Sequence, residues 1–287
     1  MACDWLFVDG SSLIFRAFYG VPKTVRSPDG RLINAARGFL ETLTRLIGAR
    51  QPARLAVASD ADWRPDWRVA LIPGYKAQRV AEPIPPALIP QMPVIEAFLA
   101  AIGIEALGVS GYEAEDVIAT WTAKAPGTVE IVSGDRDLFA LIEDPRVTVL
   151  YPEKGAWAVI DEGEVTRRYD IPGRRYADFA MLRGDPSDGL PGLKGVGAIA
   201  AASMIRQYGG VPAILEARRL SEHDQEYLTR ALRVVPPVAD LDIELPAGNR
   251  GHYPADPAAL NTLMSEHGLQ AASSRLVEAL NEQVREP

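Results

Sequence analysis

WLFVD, residues 5–9, decides the fold: four apolar residues run into an aspartate. So short and so apolar a run reads as a strand buried on both faces. RLAVASD (54–60) and VEIVSGDRD (129–137) repeat the arrangement, which predicts strands near 5–9, 54–59 and 129–133. Helical patterns lie between them, over roughly 35–49, 90–102 and 113–125. Strands alternating with helices predict a three-layer α/β architecture around a mainly parallel central sheet. Asp9, Asp60 and Asp135 each fall at or just past a strand end. In an open α/β sheet the functional crevice lies beyond the strand C-termini, so these three acids are expected to converge.

Other acids join them. GYEAED supplies Glu113, Glu115 and Asp116, SGDRD adds Asp137, and GDPSDG adds Asp185 and Asp188. Crowded carboxylates repel unless cations neutralise them. An all-oxygen donor set suits Mg²⁺ or Mn²⁺ rather than zinc, and two-metal sites commonly act on phosphate esters. Glu113 and Asp116 are three apart and share a helix face. Glu115 points about 200° away from Glu113 on the helical wheel, so it joins the site only through water or if the helix starts irregularly. Each acid taken alone has a plainer reading as a turn, strand-cap or first-turn residue.

Composition sets limits around that site. The 287 residues carry 30 Lys and Arg against 38 Asp and Glu, a formal net charge of −8. Removing the nine candidate ligands leaves 38 − 9 = 29 acids, a near-neutral body with one negative pocket. Net charge therefore does not exclude a nucleic-acid partner, because binding depends on where the basic residues lie. No apolar stretch approaches the roughly 20 residues of a membrane span. No export signal is evident, so a cytoplasmic protein without a membrane partner is expected. Cys3 is the one cysteine, which excludes an internal disulfide and a cysteine-cluster metal site. Histidine occurs only at His223, His252 and His267, so metal-activated water, not histidine, is the expected route to a nucleophile. Nothing indicates an oligomer, and a monomer is expected.

Two further regions stand out. Between Arg64 and Pro93 the chain holds Pro65 and six later prolines together with Tyr75, Lys76 and Arg79. That density forbids one long helix and permits short ones, and a long excursion from an α/β core is commonly a lid. Tyr75 is a candidate for stacking on a terminal base, and Trp63 and Trp67, four apart, are expected to pack together. LPGLKGVGAIAAASMIRQYGG (190–210) places Gly192, Lys194, Gly195 and Gly197 in a turn before an alanine-rich helix. Such a turn lets backbone N–H groups approach a phosphate. It is similar to helix–hairpin–helix segments, which grip a duplex backbone without reading bases. Beyond about residue 172 helical patterns dominate, which predicts domains over 1–172 and 173–287.

VDGSSLIFRAF (8–18), the Asp60 motif, GYKAQR (74–79), GYEAEDVIAT (111–120), SGDRDLFAL (133–141) and RGDPSDGLPGLKGVGAIAA (183–201) follow one another in order. Together they resemble the 5′-nuclease, or flap endonuclease, family, in the branch similar to the 5′→3′ exonuclease domain of bacterial DNA polymerase I. No polymerase region follows, so the resemblance is to a stand-alone bacterial flap endonuclease. It implies a PIN-like (5′-nuclease) fold with a helical arch over about 64–93 and a C-terminal helix–three-turn–helix subdomain. It implies a structure-specific 5′-nuclease, with both flap endonuclease and 5′→3′ exonuclease activity, in DNA replication and repair. Its substrate would be DNA with 5′ flaps or 5′ ends at single-strand/duplex junctions. One metal would sit among Asp9, Asp60, Glu113, Asp116 and Asp135, the other among Asp137, Asp185 and Asp188, with Asp135 near both. Lys76 and Arg79 would act beside the scissile phosphate, and K⁺ would lie at the Gly192–Gly197 turn. Bacterial relatives carry Asp where this chain has Glu115, which leaves that residue's role open. A PIN-like ribonuclease shares a similar carboxylate set but lacks the long arch and the glycine-rich segment. A non-catalytic branched-DNA binding module would have lost second-site acids such as Asp185 and Asp188. A small-molecule phosphatase would need a nucleophilic-aspartate motif that is absent.

Overall fold

The computed structural model describes residues 3–81, 84–217 and 220–285. WLFVD forms β1 (Trp5–Asp9), every residue buried, and it leads directly into α1 (Gly10–Gly20). Next come α2 (Asn34–Arg50), β2 (Arg54–Ala58), α3 (Asp66–Leu71), α4 (Gln78–Ala81), α5 (Met92–Ile102) and β3 (Glu105–Leu107). The chain continues through α6 (Ala114–Lys124), β4 (Val129–Val132), β5 (Val147–Glu153), β6 (Ala156–Ile160) and α7 (Glu162–Tyr169). Then follow α8 (Tyr176–Arg183), α9 (Ala198–Tyr208), α10 (Val211–Ala217), α11 (Glu222–Val234), α12 (Pro257–His267) and α13 (Gln270–Arg285). The six strands form one sheet in the order β3-β2-β1-β4-β5-β6. All neighbours are parallel except β5 and β6.

β1 is central because its alternate residues fill two different cores. Trp5 and Phe7 pack with Trp121 of α6 and with the α8–α11 helices, while Leu6 and Val8 pack with α1, α2 and α5. Period-two alternation on a strand apolar throughout gives this result. The chain runs outward one way from β1 through β2 to β3, then returns to place β4 on the other side of β1. The order therefore reverses between β1 and β4, where an α/β sheet opens a crevice at its C-terminal edge.

The expected strands and helices are present, with boundaries shifted by a residue or two. The sequence reading missed the edge hairpin of β5 and β6. Its turn uses Lys154 and Gly155, both at positive φ, and its outer strand, although apolar throughout (AWAVI), is half-exposed at the sheet edge. The region expected as one helical unit over 173–287 divides between the two cores. Helices α8–α11 stay on the Trp5 side, whereas Leu260, Leu269, Leu276 and Leu280 of the last segment join Leu43, Ile47 and Phe98 on the other. The chain crosses over along the sheet, where the Leu55 N–H donates to the Gly248 carbonyl (2.8 Å). Across the expected arch the helices are short, as the proline density requires: α3, α4 and a 3₁₀ turn at Ile89–Gln91; residues 82 and 83 lie outside the described residues.

Candidate active site: a carboxylate-lined cavity

The last residue of β1 caps the helix that follows. Asp9 accepts the Ser12 N–H (2.9 Å) with one oxygen and the Ser133 hydroxyl (2.5 Å) with the other. This ties the ends of β1 and β4 together across the switch point. Asp60 lies past β2, accepting the Ala114 N–H (2.8 Å) while its own N–H donates to the Ser11 hydroxyl (3.0 Å). Asp135 accepts the Asp137 N–H (3.0 Å), and Asp185 accepts the Ser187 N–H (3.0 Å). Ser11, Ser12 and Ser133 thus set the carboxylate geometry. Their signal was available, because Ser11 and Ser12 come just after Asp9 and Gly10, and Ser133 directly follows the VEIV run shortly before Asp135.

A cavity of about 550 Å³ opens there, lined by Asp9, Asp60, Glu113, Glu115, Asp135, Asp137, Asp185 and Asp188. Eight of the nine expected acids therefore meet in one place. Asp116 does not line it. Helix α6 begins at Ala114, with Glu113 as its extended N-cap, so helical-wheel spacing from Glu113 does not apply. Asp116 turns back to accept the Glu113 N–H (3.1 Å) and is fully buried. Glu115 is released toward the cavity instead. One oxygen from each of Glu115, Asp135 and Asp137 lies within 4.8 Å of the others, a spacing suited to a shared cation. The ordering expected for Glu115 and Asp116 is thereby reversed.

The basic residues are equally specific. Lys76 is buried, its Nζ hydrogen-bonded to Glu113 and 3.9 Å from Asp188. Arg79 reaches to 3.8 Å from Glu113 and donates to the Trp63 carbonyl (3.3 Å). Tyr75 is not available for base stacking, since it is buried and donates its hydroxyl to Glu113 (2.6 Å). Trp67 lies beside Tyr112 (6.2 Å between centroids), while Trp63 lines the cavity. Lys76, at φ 47°, donates its N–H to the Asp188 carbonyl (3.0 Å). At Gly189 the two loops approach so closely that a Cβ would sit 1.9 Å from the Gly74 oxygen.

Past these loops lies the glycine turn. Gly192, at φ 68°, packs where a Cβ would be 2.4 Å from the Gly184 nitrogen, and its N–H donates to the Tyr227 hydroxyl (3.2 Å). Tyr227 in turn donates to the Met181 carbonyl (3.0 Å), bracing the turn from α11. Lys194 and Gly195 are exposed, and Gly197 is the exposed N-cap of α9. None of the three histidines lines the cavity.

Electrostatics fit the donor set. Burial, with Asp60 adding repulsion, pushes the Asp9 carboxyl up to about 7. Burial raises Asp60, and burial together with Asp135 and Asp188 raises Asp137 well above the usual carboxylate range. Burial raises Glu115 too, although Lys76 opposes it. Such acids keep protons in the folded chain at pH values where the unfolded chain has lost them. The stability they contribute is present below about pH 4 and, for Asp9, is lost as pH rises through about 7. We expect the melting temperature in EDTA to fall between about pH 5 and about pH 8, and added Mn²⁺ to raise it more at the higher pH. An EDTA profile that rises over this range would contradict the cavity's electrostatics.

Comparison with known proteins follows this geometry. A 5′-3′ exonuclease N-terminal resolvase-like domain matches residues 4–170, and a 5′-3′ exonuclease C-terminal SAM fold matches 171–242. The chain is 45% identical to a 5′-3′ exonuclease of Streptomyces coelicolor, covering 96% of this chain and 99% of that one. The chain belongs to the 5′-3′ exonuclease family. A Mycobacterium tuberculosis 5′-3′ exonuclease is 38% identical over 98% of this chain and 99% of its own. DNA polymerase I of Mycobacterium bovis matches 74% of this chain with 24% of its own length, at 39% identity. Among solved structures, the T5 D15 protein co-crystallised with metal ions has a TM-score of 0.65 at 17% identity, covering 98% of this chain and 99% of that one. Flap endonuclease-1 from Methanococcus jannaschii has a TM-score of 0.61 at 17% identity, covering 98% and 94%. At such identities the likeness is one of fold. The chain thus joins a resolvase-like N-terminal domain to a helical segment with a SAM fold. Among its described residues no helix is long and apolar enough to cross a membrane.

Proposed function

We propose that this 5′-3′ exonuclease is a structure-specific nuclease that cuts DNA at 5′ flaps and 5′ ends beside single-strand/duplex junctions. The observation that carries the reading is the convergence of eight carboxylates on one cavity that Lys76 and Arg79 also line. Divalent cations held there, Mg²⁺ or Mn²⁺, would activate water and stabilise the leaving 3′ oxygen. Glu115, Asp135 and Asp137 would hold one cation, and Asp9, Asp60, Asp185 and Asp188 line the same cavity. Lys76 and Arg79 would turn from Glu113 to offset charge on the phosphoryl oxygens. The exposed N–H groups at Gly195 and Gly197, with Lys194, would hold the duplex backbone at the start of α9.

On the resemblance alone, the same reading places K⁺ at the glycine turn, treats the segment over 64–93 as an arch for the single strand, and takes the protein as a cytoplasmic monomer. Domain limits of 1–172 and 173–287 belong to it as a division of tasks, with chemistry in the first and duplex grip in the second.

The test is cleavage of a 5′-end-labelled double-flap DNA with Mn²⁺, Mg²⁺ or EDTA. We expect metal-dependent release of an oligonucleotide cut near the junction. Mononucleotide release alone would restrict the protein to exonuclease action. A matched RNA flap cut faster than DNA would favour the ribonuclease alternative, and binding without cutting would favour a branched-DNA binding module.

A further inference from the structure

Helix α3 contributes a residue that the sequence reading passed over. Arg68 is fully buried, and its guanidinium lies 4.8 Å from the Trp67 ring centroid and 5.7 Å from that of Tyr75. Nη1 donates to Glu113 (2.6 Å) and to Asp116 (2.9 Å), and Nη2 donates to the other Asp116 oxygen (2.7 Å). Nε donates to the carbonyl of Val234, at the end of α11 (3.1 Å). Glu115 lies 3.4 Å from Nη2. One planar cation therefore meets all three acids of GYEAED together with the helix that braces the glycine turn.

Three carboxylates within four residues repel one another and would splay apart. The geometry here partitions them. Asp116 takes two donors from Arg68 and also accepts the Val238 N–H (2.8 Å), so its oxygens are fully engaged away from the cavity. Glu113 is fixed through one oxygen by Arg68 and Tyr75, which directs the other to Lys76. Glu115 is left to face Asp135 and Asp137. We propose that Arg68 is a positioning residue for the metal site: its forked contacts hold Asp116 back, turn Glu113 toward Lys76 and leave Glu115 aimed at the cation. The proposal rests on the metal-dependent nuclease reading.

Charge and geometry predict opposite outcomes, which makes the idea testable. Removing a nearby cation would, by electrostatics alone, tighten divalent-cation binding. Losing the fork should weaken it, because supporting partners of metal ligands are worth roughly 10–100-fold in affinity. Lys retains the charge but not the planar pair of donors.

The experiment is Mn²⁺ titration of the DNA-free protein by calorimetry, for wild type, Arg68→Lys and Arg68→Gln, well below each melting temperature. It is paired with the Mn²⁺ dependence of flap cleavage. We expect Mn²⁺ binding weakened about tenfold or more in both variants. The cleavage requirement should shift in parallel, kcat should largely recover at saturating Mn²⁺, and KM for DNA should stay near wild type. Should Arg68→Gln fail to fold, the charge-retaining Lys variant decides alone. Wild-type or tighter binding in the folded variants would overturn the positioning role while leaving the nuclease reading intact. A wild-type protein that neither binds Mn²⁺ nor cuts would overturn both.

Discussion

Asp137→Ala should fold as well as the parent and cut almost nothing. The carboxylate sits among Glu115, Asp135 and Asp188 and faces no cation of the protein at bonding distance among the described residues. Its burial and its acidic neighbours hold its pKa well above the usual range, so in metal-free protein the group is a source of repulsion. Removing it relieves that repulsion, and the melting temperature in EDTA should hold or rise. Removing it also deletes a ligand, and metal stabilisation of a phosphoryl transition state is worth several kcal/mol. At about 1.4 kcal/mol per factor of ten, this is a rate loss of roughly 10³-fold or more. Flap cleavage and thermal melting on the same preparation check the result. Normal turnover, or an EDTA melting temperature several degrees below the parent, would remove Asp137 from the assignment.

Lys76→Ala should slow cleavage by about 10²–10³-fold, the usual cost of deleting one preorganised donor at a reacting centre. The effect should fall on kcat, with Mn²⁺ affinity unchanged or tighter. In the metal-free protein Lys76 lies against Glu113 and beside Asp188, in the position of an internal counter-ion. Its own pKa is raised well above normal, because attraction from Glu115 and other nearby acids outweighs the effect of burial. Deleting it therefore leaves a more negative cavity. Single-turnover cleavage together with Mn²⁺ calorimetry separates the two terms. If the variant instead lost Mn²⁺ affinity and kept its saturated rate, Lys76 would be a structural pin and not a partner of the phosphate.

Much of this was legible from periodicity. A strand such as WLFVD is short, apolar and punctuated by an acid, and parallel packing leaves few other readings for it. The carboxylates at strand ends converge because the sheet order reverses between β1 and β4, a matter of topology and not of side-chain detail. Individual side-chain direction was harder to read. Asp116 and Glu115 exchanged their expected places because α6 starts one residue later than the periodicity suggests, which converts Glu113 into a cap. Arg68 left no signal, since a lone arginine on a six-residue helix reads as surface charge until the acids that surround it are known. Tyr75 was misjudged for a related reason: its partner, Glu113, lies 38 residues away.

The return of α12 and α13 to the back of the sheet matters for anyone dissecting the molecule. Sequence similarity to the two exonuclease segments ends at residue 242, a natural point at which to excise a minimal nuclease. A cut there would strip Leu260, Leu269, Leu276 and Leu280 from the apolar face that Leu43, Ile47 and Phe98 present. The catalytic layer would be left with an uncovered flank on its α2 and α5 face. The self-sufficient unit of this chain extends past that point and closes on itself from its last helices.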